Sequence, residues 1–78
     1  MSHYSVRASF DADAGVWYVD ETNVPGLSTE AASFEELCRK IEVMVPELLE
    51  ANGLETAPAS VPVEITAHTI SRLTLSAA

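Results

Sequence analysis

The chain has 78 residues, with twelve Asp and Glu against four Lys and Arg, and a formal net charge of −8 at pH 7. Its hydrophobic content of 47% supports one small core and excludes a disordered tail. Nucleic-acid binding depends on clustered Lys and Arg, whereas Arg7, Arg39, Lys40 and Arg72 are scattered. We therefore expect no direct contact with nucleic acid. An acidic surface favours encounter with a basic partner, or serves solubility alone.

The sequence carries no signature of secretion or of membrane insertion. The first residues show no basic stretch followed by an apolar run, and no apolar stretch approaches about 20 residues. Cys38 is the only cysteine, so no internal disulfide is expected. We expect a cytoplasmic protein whose residues 1–78 form a single domain.

The first two predicted elements form a β-hairpin. Apolar and polar residues alternate from Tyr4 to Phe10, which is typical of a strand with one buried face. Asp11 to Gly15 is a predicted turn, and Val16 to Glu21, β-branched and aromatic, is the returning strand. Both faces of this strand carry bulk. We predict that Trp17 faces the core and that Tyr18 lies on the open face, available to a partner.

A turn and a short third strand follow the hairpin. Val24-Pro25-Gly26-Leu27 predicts a type II turn, because Pro pre-sets φ at the second position and Gly supplies the positive φ required at the third. The third strand is expected from about Leu27 to Glu30.

The clearest predicted element is an amphipathic helix. Ser33 and Glu36 form a capping box at its start, and Asn52-Gly53 is a stop signal. Its apolar residues lie within an arc of about 140°: Phe34, Leu37, Cys38, Ile41, Met44, Val45, Leu48 and Leu49. Pro46 allows either a break into two short helices or one continuous, kinked helix. We favour the kinked helix, because the apolar arc keeps its phase beyond Pro46.

The last predicted strand is long, from Val61 to Leu75. Apolar residues keep one alternating phase, and no Gly, Pro, Asn or Asp lies between Ala67 and Leu75. About fifteen residues would reach about 50 Å at 3.3 Å per residue, so the strand would overhang the sheet. An overhanging apolar strand is a pairing hazard. Either Ile70 to Leu75 pairs with a partner chain, expected to be a second copy, or a bulge at Thr69–Ser71 folds it back over its own sheet.

Together these elements predict an α+β fold of order β-β-β-α-β. The sheet is small and mixed, with its first three strands antiparallel and one kinked amphipathic helix packed on one face. The predicted partner-binding residues are Tyr18, Ile70, Leu73 and Leu75, and the homodimer is expected to form through the C-terminal strand.

The sequence predicts no catalytic, cofactor or metal site. His3 and His68 lie far apart, each without a second ligand at metal-binding spacing. Cys38 lies within the apolar arc, and the neighbouring Glu35 and Glu42 would raise its pKa. We interpret Cys38 as a core thiol.

The densest carboxylate group consists of Asp11, Asp13, Asp20 and Glu21. A magnesium site needs several carboxylates in one cavity. The first two lie in the hairpin turn and the last two at the far end of the returning strand, so we do not expect them to meet. The three glycines are scattered and form no phosphate-binding loop. We expect a protein that is not an enzyme.

Several short motifs resemble those of the HicB-like antitoxin family, and the likeness covers most of the chain. The motifs are Asp13-Ala14-Gly15-Val16-Trp17, Val24-Pro25-Gly26-Leu27, Thr29-Glu30 and Ser33-Phe34-Glu35-Glu36, and Val45-Pro46-Glu47-Leu48 is similar to a short branch of the group.

The resemblance implies a reduced RNase H-like fold without the nuclease carboxylates. It also implies a role in binding and neutralising a small basic RNA-cleaving toxin of the HicA type. Many members carry a DNA-binding module after this domain. Because this chain ends at Ala78, operator binding is not expected.

The leading functional hypothesis is therefore a module that binds a small basic protein. The alternative is a stand-alone homodimer whose open sheet face holds a small ligand or another protein. A residual hydrolase is the least favoured hypothesis.

Overall fold

The computed structural model describes residues 3–54 and 60–76. Its elements are β1 (Tyr4–Asp11), β2 (Val16–Thr22), β3 (Glu30–Ala31), α1 (Phe34–Ala51) and β4 (Val63–His68). The four strands form one sheet in the order β3-β2-β1-β4, in which β1, β2 and β3 pair antiparallel and β4 runs parallel to β1. The predicted α+β fold, a mixed sheet with one helix on one face, is confirmed.

The core lies between the sheet and α1. The buried residues of α1 follow at intervals of four, which places them on one stripe of the helix surface: Leu37, Ile41, Val45 and Leu49. The strand β1 contributes Tyr4, Val6 and Ala8 to the same core. Complete burial of a large apolar side chain stabilises the fold by about 1.5–3 kcal/mol, so this stripe holds the helix on the sheet.

An aromatic cluster lies at the hairpin end of the core. The ring of Trp17 contacts Phe10 and Phe34, with centroid distances of 5.4 and 5.6 Å. Tyr18 points to the other side of the sheet and is 37% exposed. The predicted orientations of Trp17 and Tyr18 are both confirmed.

Both ends of α1 are capped. The hydroxyl of Ser33 accepts a hydrogen bond from the backbone N–H of Glu36 at 3.1 Å, which is one of the two bonds of the predicted capping box. At the other end, Gly53 has a φ of +66°, and the N–H of Leu54 donates to the carbonyl of Leu49 at 2.9 Å, the pattern of a Schellman motif. The helix continues through the exposed Pro46, as predicted, because the apolar stripe lies on the opposite side.

The turn before β3 has the predicted geometry, but β3 is shorter than predicted. Gly26 has a φ of +78°, and the N–H of Leu27 donates to the carbonyl of Val24 at 3.3 Å. The expected strand from Leu27 to Glu30 is wrong in its bounds, because β3 contains only Glu30 and Ala31. Leu27 is instead buried in the core directly after the turn.

The last strand is also shorter than predicted. The expected span from Val61 to Leu75 is reduced to the six residues of β4, because its pairing with β1 ends at Ser9 and His68 and β1 turns away two residues after Ser9. We call residues 69–76 the C-terminal arm. In it Ile70, Leu73 and Leu75 are 80%, 83% and 89% exposed. The alternative in which this segment folds back over its own sheet is therefore not observed.

The C-terminal arm gives the molecule an elongated shape. The Cα atoms extend over 62 × 24 × 17 Å, with a radius of gyration of 15.7 Å, whereas a compact chain of this length is expected near about 11–12 Å. No helix within the described ranges is long and apolar enough to cross a membrane.

Candidate protein-binding site

The sheet face opposite α1, which we call the open face, is polar. Along β1 the residues Ser5, Arg7 and Ser9 alternate with the buried Val6 and Ala8. Side chains of directly paired residues lie on the same face of a sheet, so the pairings extend the open face onto the other strands. It comprises Ser5, Arg7, Ser9, Tyr18, Asp20, Glu21, Glu30, Glu64, Thr66 and His68.

A β-bulge in β2 concentrates negative charge on this face. Arg7 pairs with Glu21 and Ala8 pairs with Val19, which leaves Asp20 as the extra residue. A bulge redirects a side chain that regular alternation would send to the other face. As a result, two consecutive carboxylates reach the same guanidinium: Arg7 lies 3.0 Å from Asp20 and 3.2 Å from Glu21.

Ser9 completes the hydrogen-bond network around Asp20. Its hydroxyl donates to the carboxylate of Asp20 at 2.9 Å, and Ser9 is only 8% exposed. The hydrogen bond from Ser9, followed by that from Arg7, holds the pKa of Asp20 below its ordinary value. Asp20 is therefore ionised at neutral pH and fixed in place.

His68 is the register partner of Ser9 on β4, so a serine, a histidine and an aspartate share one region of the open face. In the hydrolytic triad the serine hydroxyl donates to the histidine, which activates it as a nucleophile. Here the hydroxyl of Ser9 donates to Asp20 instead, and its proton is held by a carboxylate. The arrangement is that of a structural network.

The charges of the open face are unbalanced. Among the residues of this face four carry carboxylates, Asp20, Glu21, Glu30 and Glu64, and one is a Lys or Arg, Arg7. Within the described ranges, every ion pair of this face uses Arg7. Since Arg7 is already shared between two carboxylates, the face presents net negative charge to any approaching molecule.

The predicted partner-binding residues fall into two separate places. Tyr18 lies on β2, in the open face, between its register partners Ser9 and Glu30. The arm residues Ile70, Leu73 and Leu75 lie beyond β4, which is two strands away from β2. The structure therefore does not bring Tyr18 and the arm into one surface.

A shallow cleft of about 320 Å³ lies at the end of the sheet where β1 begins. All but one of its lining residues are polar or charged: Ser5, Val6, Arg7, Glu21, Thr22, Asn23, Glu64 and Thr66. The carboxamide of Asn23 closes this end by accepting from the N–H of Ser5 and donating to the carbonyl of His3, both at 2.9 Å. Tyr18 and the arm do not line this cleft.

The remaining candidate residues of the sequence are held in local structure. The carboxylate of Asp11 accepts from the N–H groups of Asp13 and Ala14 within the hairpin turn, so it stabilises that turn. In residues 3–54 and 60–76, no three His, Cys, Asp or Glu side chains lie close enough together to hold a metal ion.

Cys38 is half-buried on the flank of α1, so its assignment to the core is corrected. The central stripe of the helix is formed by residues such as Leu37 and Ile41, and Cys38 lies beside it. The expected direction of its pKa is confirmed: burial raises it, and the carboxylates of Glu42 and Glu35 raise it further.

Sequence reasoning missed the network of Arg7, Ser9 and Asp20. The polar phase of β1 indicated that Arg7 and Ser9 share a face. Alternation from Tyr18 also places Asp20 on that face, but Glu21 was hidden because no Gly or Pro marks the bulge in β2 that turns it there. Regular alternation would have placed Asp20 and Glu21 on opposite faces.

Comparisons with known proteins place the chain in a family. Residues 3–77 match the family model described as "Domain of unknown function (DUF1902)". The chain is similar to a solved structure, the hypothetical protein TTHA1013 from the extremely thermophilic bacterium Thermus thermophilus. The sequence identity is 44%, the TM-score is 0.69, and the match covers 95% of this chain and 100% of that one. A search of curated proteins found no match. The chain belongs to the DUF1902 family.

Proposed function

We propose that this chain is a non-enzymatic protein-binding module of the antitoxin type, related to HicB-like antitoxins. Its open face would bind a small basic protein, in the leading case an RNA-cleaving toxin. The observation that carries this proposal is the charge of the open face, where four carboxylates lie with one arginine that two of them already share. The site of action would be the cytoplasm, where such a toxin meets its RNA.

The electrostatics favour a basic partner over a neutral one. The net charge of −8 attracts a cation over a distance of about 8–10 Å at physiological salt. Glu30 lies on the edge strand β3 and joins neither ion pair of Arg7, so its carboxylate can receive a cation of the partner. Charged groups at the rim of an interface chiefly raise the rate of association and exclude acidic competitors.

Tyr18 supplies the aromatic anchor of the proposed interface. Tyr and Trp are enriched among residues that dominate binding energy, because they bury a large area with few rotatable bonds. Tyr18 is partly exposed beside Glu30, so an arginine of the partner can contact the ring face and the carboxylate together.

The state of the potential nucleophiles supports a non-enzymatic role. Ser9 is buried and its hydroxyl donates to Asp20. Cys38 has a raised pKa, which keeps it in the unreactive thiol form at neutral pH.

The proposal is tested by affinity purification from the native host followed by mass spectrometry. We expect recovery of a small basic protein of roughly 60 residues, encoded by a neighbouring gene, since a charge of −8 favours encounter with a partner of opposite sign. An isolated gene, together with no basic protein recovered, would contradict the proposal.

Charge variants locate the interface once a partner is in hand. The variant Glu30→Lys should weaken binding at least tenfold by calorimetry, because it replaces the carboxylate of the open face that lies beside Tyr18. The matched control is Glu47→Lys, which changes the net charge equally on the exposed side of α1. Equal weakening by both variants would show that net charge, and not the open face, attracts the partner.

The second candidate is a stand-alone homodimer whose open face holds a small ligand or another protein. The polar cleft of about 320 Å³ beside Arg7 and Glu64 favours it. The same purification distinguishes the two candidates, because this one yields the chain alone or with a partner that is not basic.

A further inference from the structure

The outer edge of β4 is open in the described structure. The sheet order is β3-β2-β1-β4, so β4 pairs with β1 on one side and offers its backbone groups on the other. The helix α1 packs most closely over β2 and β3, which leaves Val63 and Ile65 of β4 half-buried. An open edge beside a half-covered apolar face is a template for an additional strand.

The C-terminal arm has the side chains to be that strand. Continuing the alternation of β4, Leu73 and Leu75 share the phase of Val63 and Ile65, so they fall on the helix side of the sheet. Both leucines are more than four-fifths exposed in the single chain. Their own sheet offers them no neighbour, because β1 ends at Asp11.

We propose that two copies of this chain pair through this segment. The arm of each copy adds as an antiparallel strand to the outer edge of β4 of the other, about a twofold axis perpendicular to the sheet. The two sheets then form one continuous eight-stranded sheet with both helices on the same side. The proposal concerns self-association and does not depend on the proposed function.

The register follows from the symmetry of the segment. A perpendicular twofold axis keeps helix-facing side chains on one side, so each residue must pair with one of its own phase. The apolar phase runs from Val61 to Leu75, and its midpoint is His68. If the first and last residues of this phase pair with each other, the antiparallel pairing is centred on His68. Leu73 then lies opposite Val63 of the second copy and Leu75 opposite Val61.

The same register pairs the charges of the segment. Glu64 is the one carboxylate between residues 60 and 76, and Arg72 is the one Lys or Arg. Each lies four residues from His68, so Glu64 of one copy falls directly opposite Arg72 of the other. Cross-strand pairs of opposite charge stabilise a sheet. A shift of the centre by one residue to Thr69 places Thr74 opposite Glu64.

The pattern of the segment favours a second copy of the chain over an unrelated chain as the binding partner of this edge. The segment carries an apolar strip, an acid and a base at positions related by reversal about one residue. A surface complementary to itself in this way forms an isologous, closed contact. An unrelated strand could bury the two leucines, but it would not in general place opposite charges against both Glu64 and Arg72.

The first test measures the molar mass of the purified chain by light scattering and sedimentation equilibrium at micromolar concentration. We expect twice the chain mass of 8.4 kDa. The variant Leu73→Asp/Leu75→Asp should raise the dissociation constant at least a hundredfold. Both leucines are exposed in the single chain, so the variant should keep the cooperative thermal unfolding of the core and lose only the strand signal of the arm in circular dichroism. The control Val43→Asp, at an exposed apolar position of α1, should leave the mass of the dimer unchanged.

Charge exchange tests the pairing of Glu64 with Arg72. Glu64→Arg and Arg72→Glu should each weaken the dimer, because each places like charges opposite one another. The double variant Glu64→Arg/Arg72→Glu should restore association to within a few-fold of the original chain. If the double variant loses as much free energy of dimerisation as the two single variants together, the two residues do not face each other.

Single-cysteine crosslinking tests the register in a Cys38→Ser background. In the proposed register a cysteine introduced as His68→Cys lies opposite its own copy and should form a disulfide-linked dimer on mild oxidation. Thr66→Cys and Ile70→Cys should not, since four residues separate each from its copy, about 13 Å at 3.3 Å per residue. Crosslinking at Thr69→Cys in preference to His68→Cys would overturn the register, and a chain mass of 8.4 kDa throughout would overturn the dimer.

Discussion

The hydroxyl of Ser9 donates to the carboxylate of Asp20 at 2.9 Å, across the antiparallel pair of β1 and β2 and at the position where β2 bulges. The bond fixes Asp20, the one residue of β2 between Val16 and Thr22 that has no register partner in β1. It also brings Asp20 within 3.0 Å of Arg7. One extra residue in a short strand thus converts a regular polar face into a charged network.

This network makes the stability depend on pH. Because the pKa of Asp20 is lowered in the folded chain, its bonds stabilise the fold above the ordinary carboxyl pKa, near about 4, and are lost as pH falls through the lower, folded value. Asp20→Asn should therefore be less stable than the original chain at pH 7, and this difference should narrow at pH 3. Urea unfolding at the two pH values measures it. Asp13→Asn, in the exposed hairpin turn, is the control, and an equal pH dependence in both variants would contradict the assignment.

The two turn glycines should respond alike to a methyl group. Gly26→Ala and Gly15→Ala both force alanine to a positive φ, which costs about 1–2 kcal/mol. A Cβ on Gly26 would lie 3.4 Å from a methyl group of Leu48, an ordinary van der Waals contact with a flexible side chain, and a Cβ on Gly15 has nothing within 4 Å. We expect similar losses of the free energy of unfolding in chemical denaturation, because neither methyl group meets a clash. A markedly larger loss in Gly26→Ala would contradict this spacing between the turn and α1.

Helix packing is tested by truncating its buried stripe. Leu37 has no exposed surface in the core, and Leu37→Ala should lower the free energy of unfolding by about 2–5 kcal/mol through lost burial and a residual cavity. A chain of this size has only about 4–12 kcal/mol in total, so the variant should be partly unfolded at 37 °C. Val43→Ala, at a position 64% exposed on the same helix, should change stability by about 0.5 kcal/mol or less. Thermal unfolding followed by circular dichroism compares them.

The thiol of Cys38 should react slowly with alkylating agents. Burial and the carboxylates of Glu42 and Glu35 raise its pKa, so the reactive thiolate is scarcer at pH 7.5 than in a free cysteine. Timed alkylation with iodoacetamide, followed by mass spectrometry, should give a rate below that of glutathione. Glu42→Gln/Glu35→Gln should raise the rate, and no change in this variant would mean that burial alone protects the thiol.

The elements of the fold that depend on local physics were predictable from the sequence. Alternation located β1, β-branched and aromatic composition located β2, and the apolar stripe located α1 through Pro46. The turn at Gly26 and the helix end at Gly53 followed from the positive φ that only glycine adopts without strain. Each of these signals lies within one continuous segment of the chain, so no knowledge of the neighbouring strands was required.

Tertiary structure decided the features that involve two distant segments. The end of β4 at His68 is set by the length of β1, and the direction of Glu21 by the bulged register of β2 against β1. The half-burial of Cys38 depends on where the sheet lies under α1. A single segment carries its own periodicity but not the position of its partner, and pairing across the sheet is what fixes register, strand length and the composition of the open face.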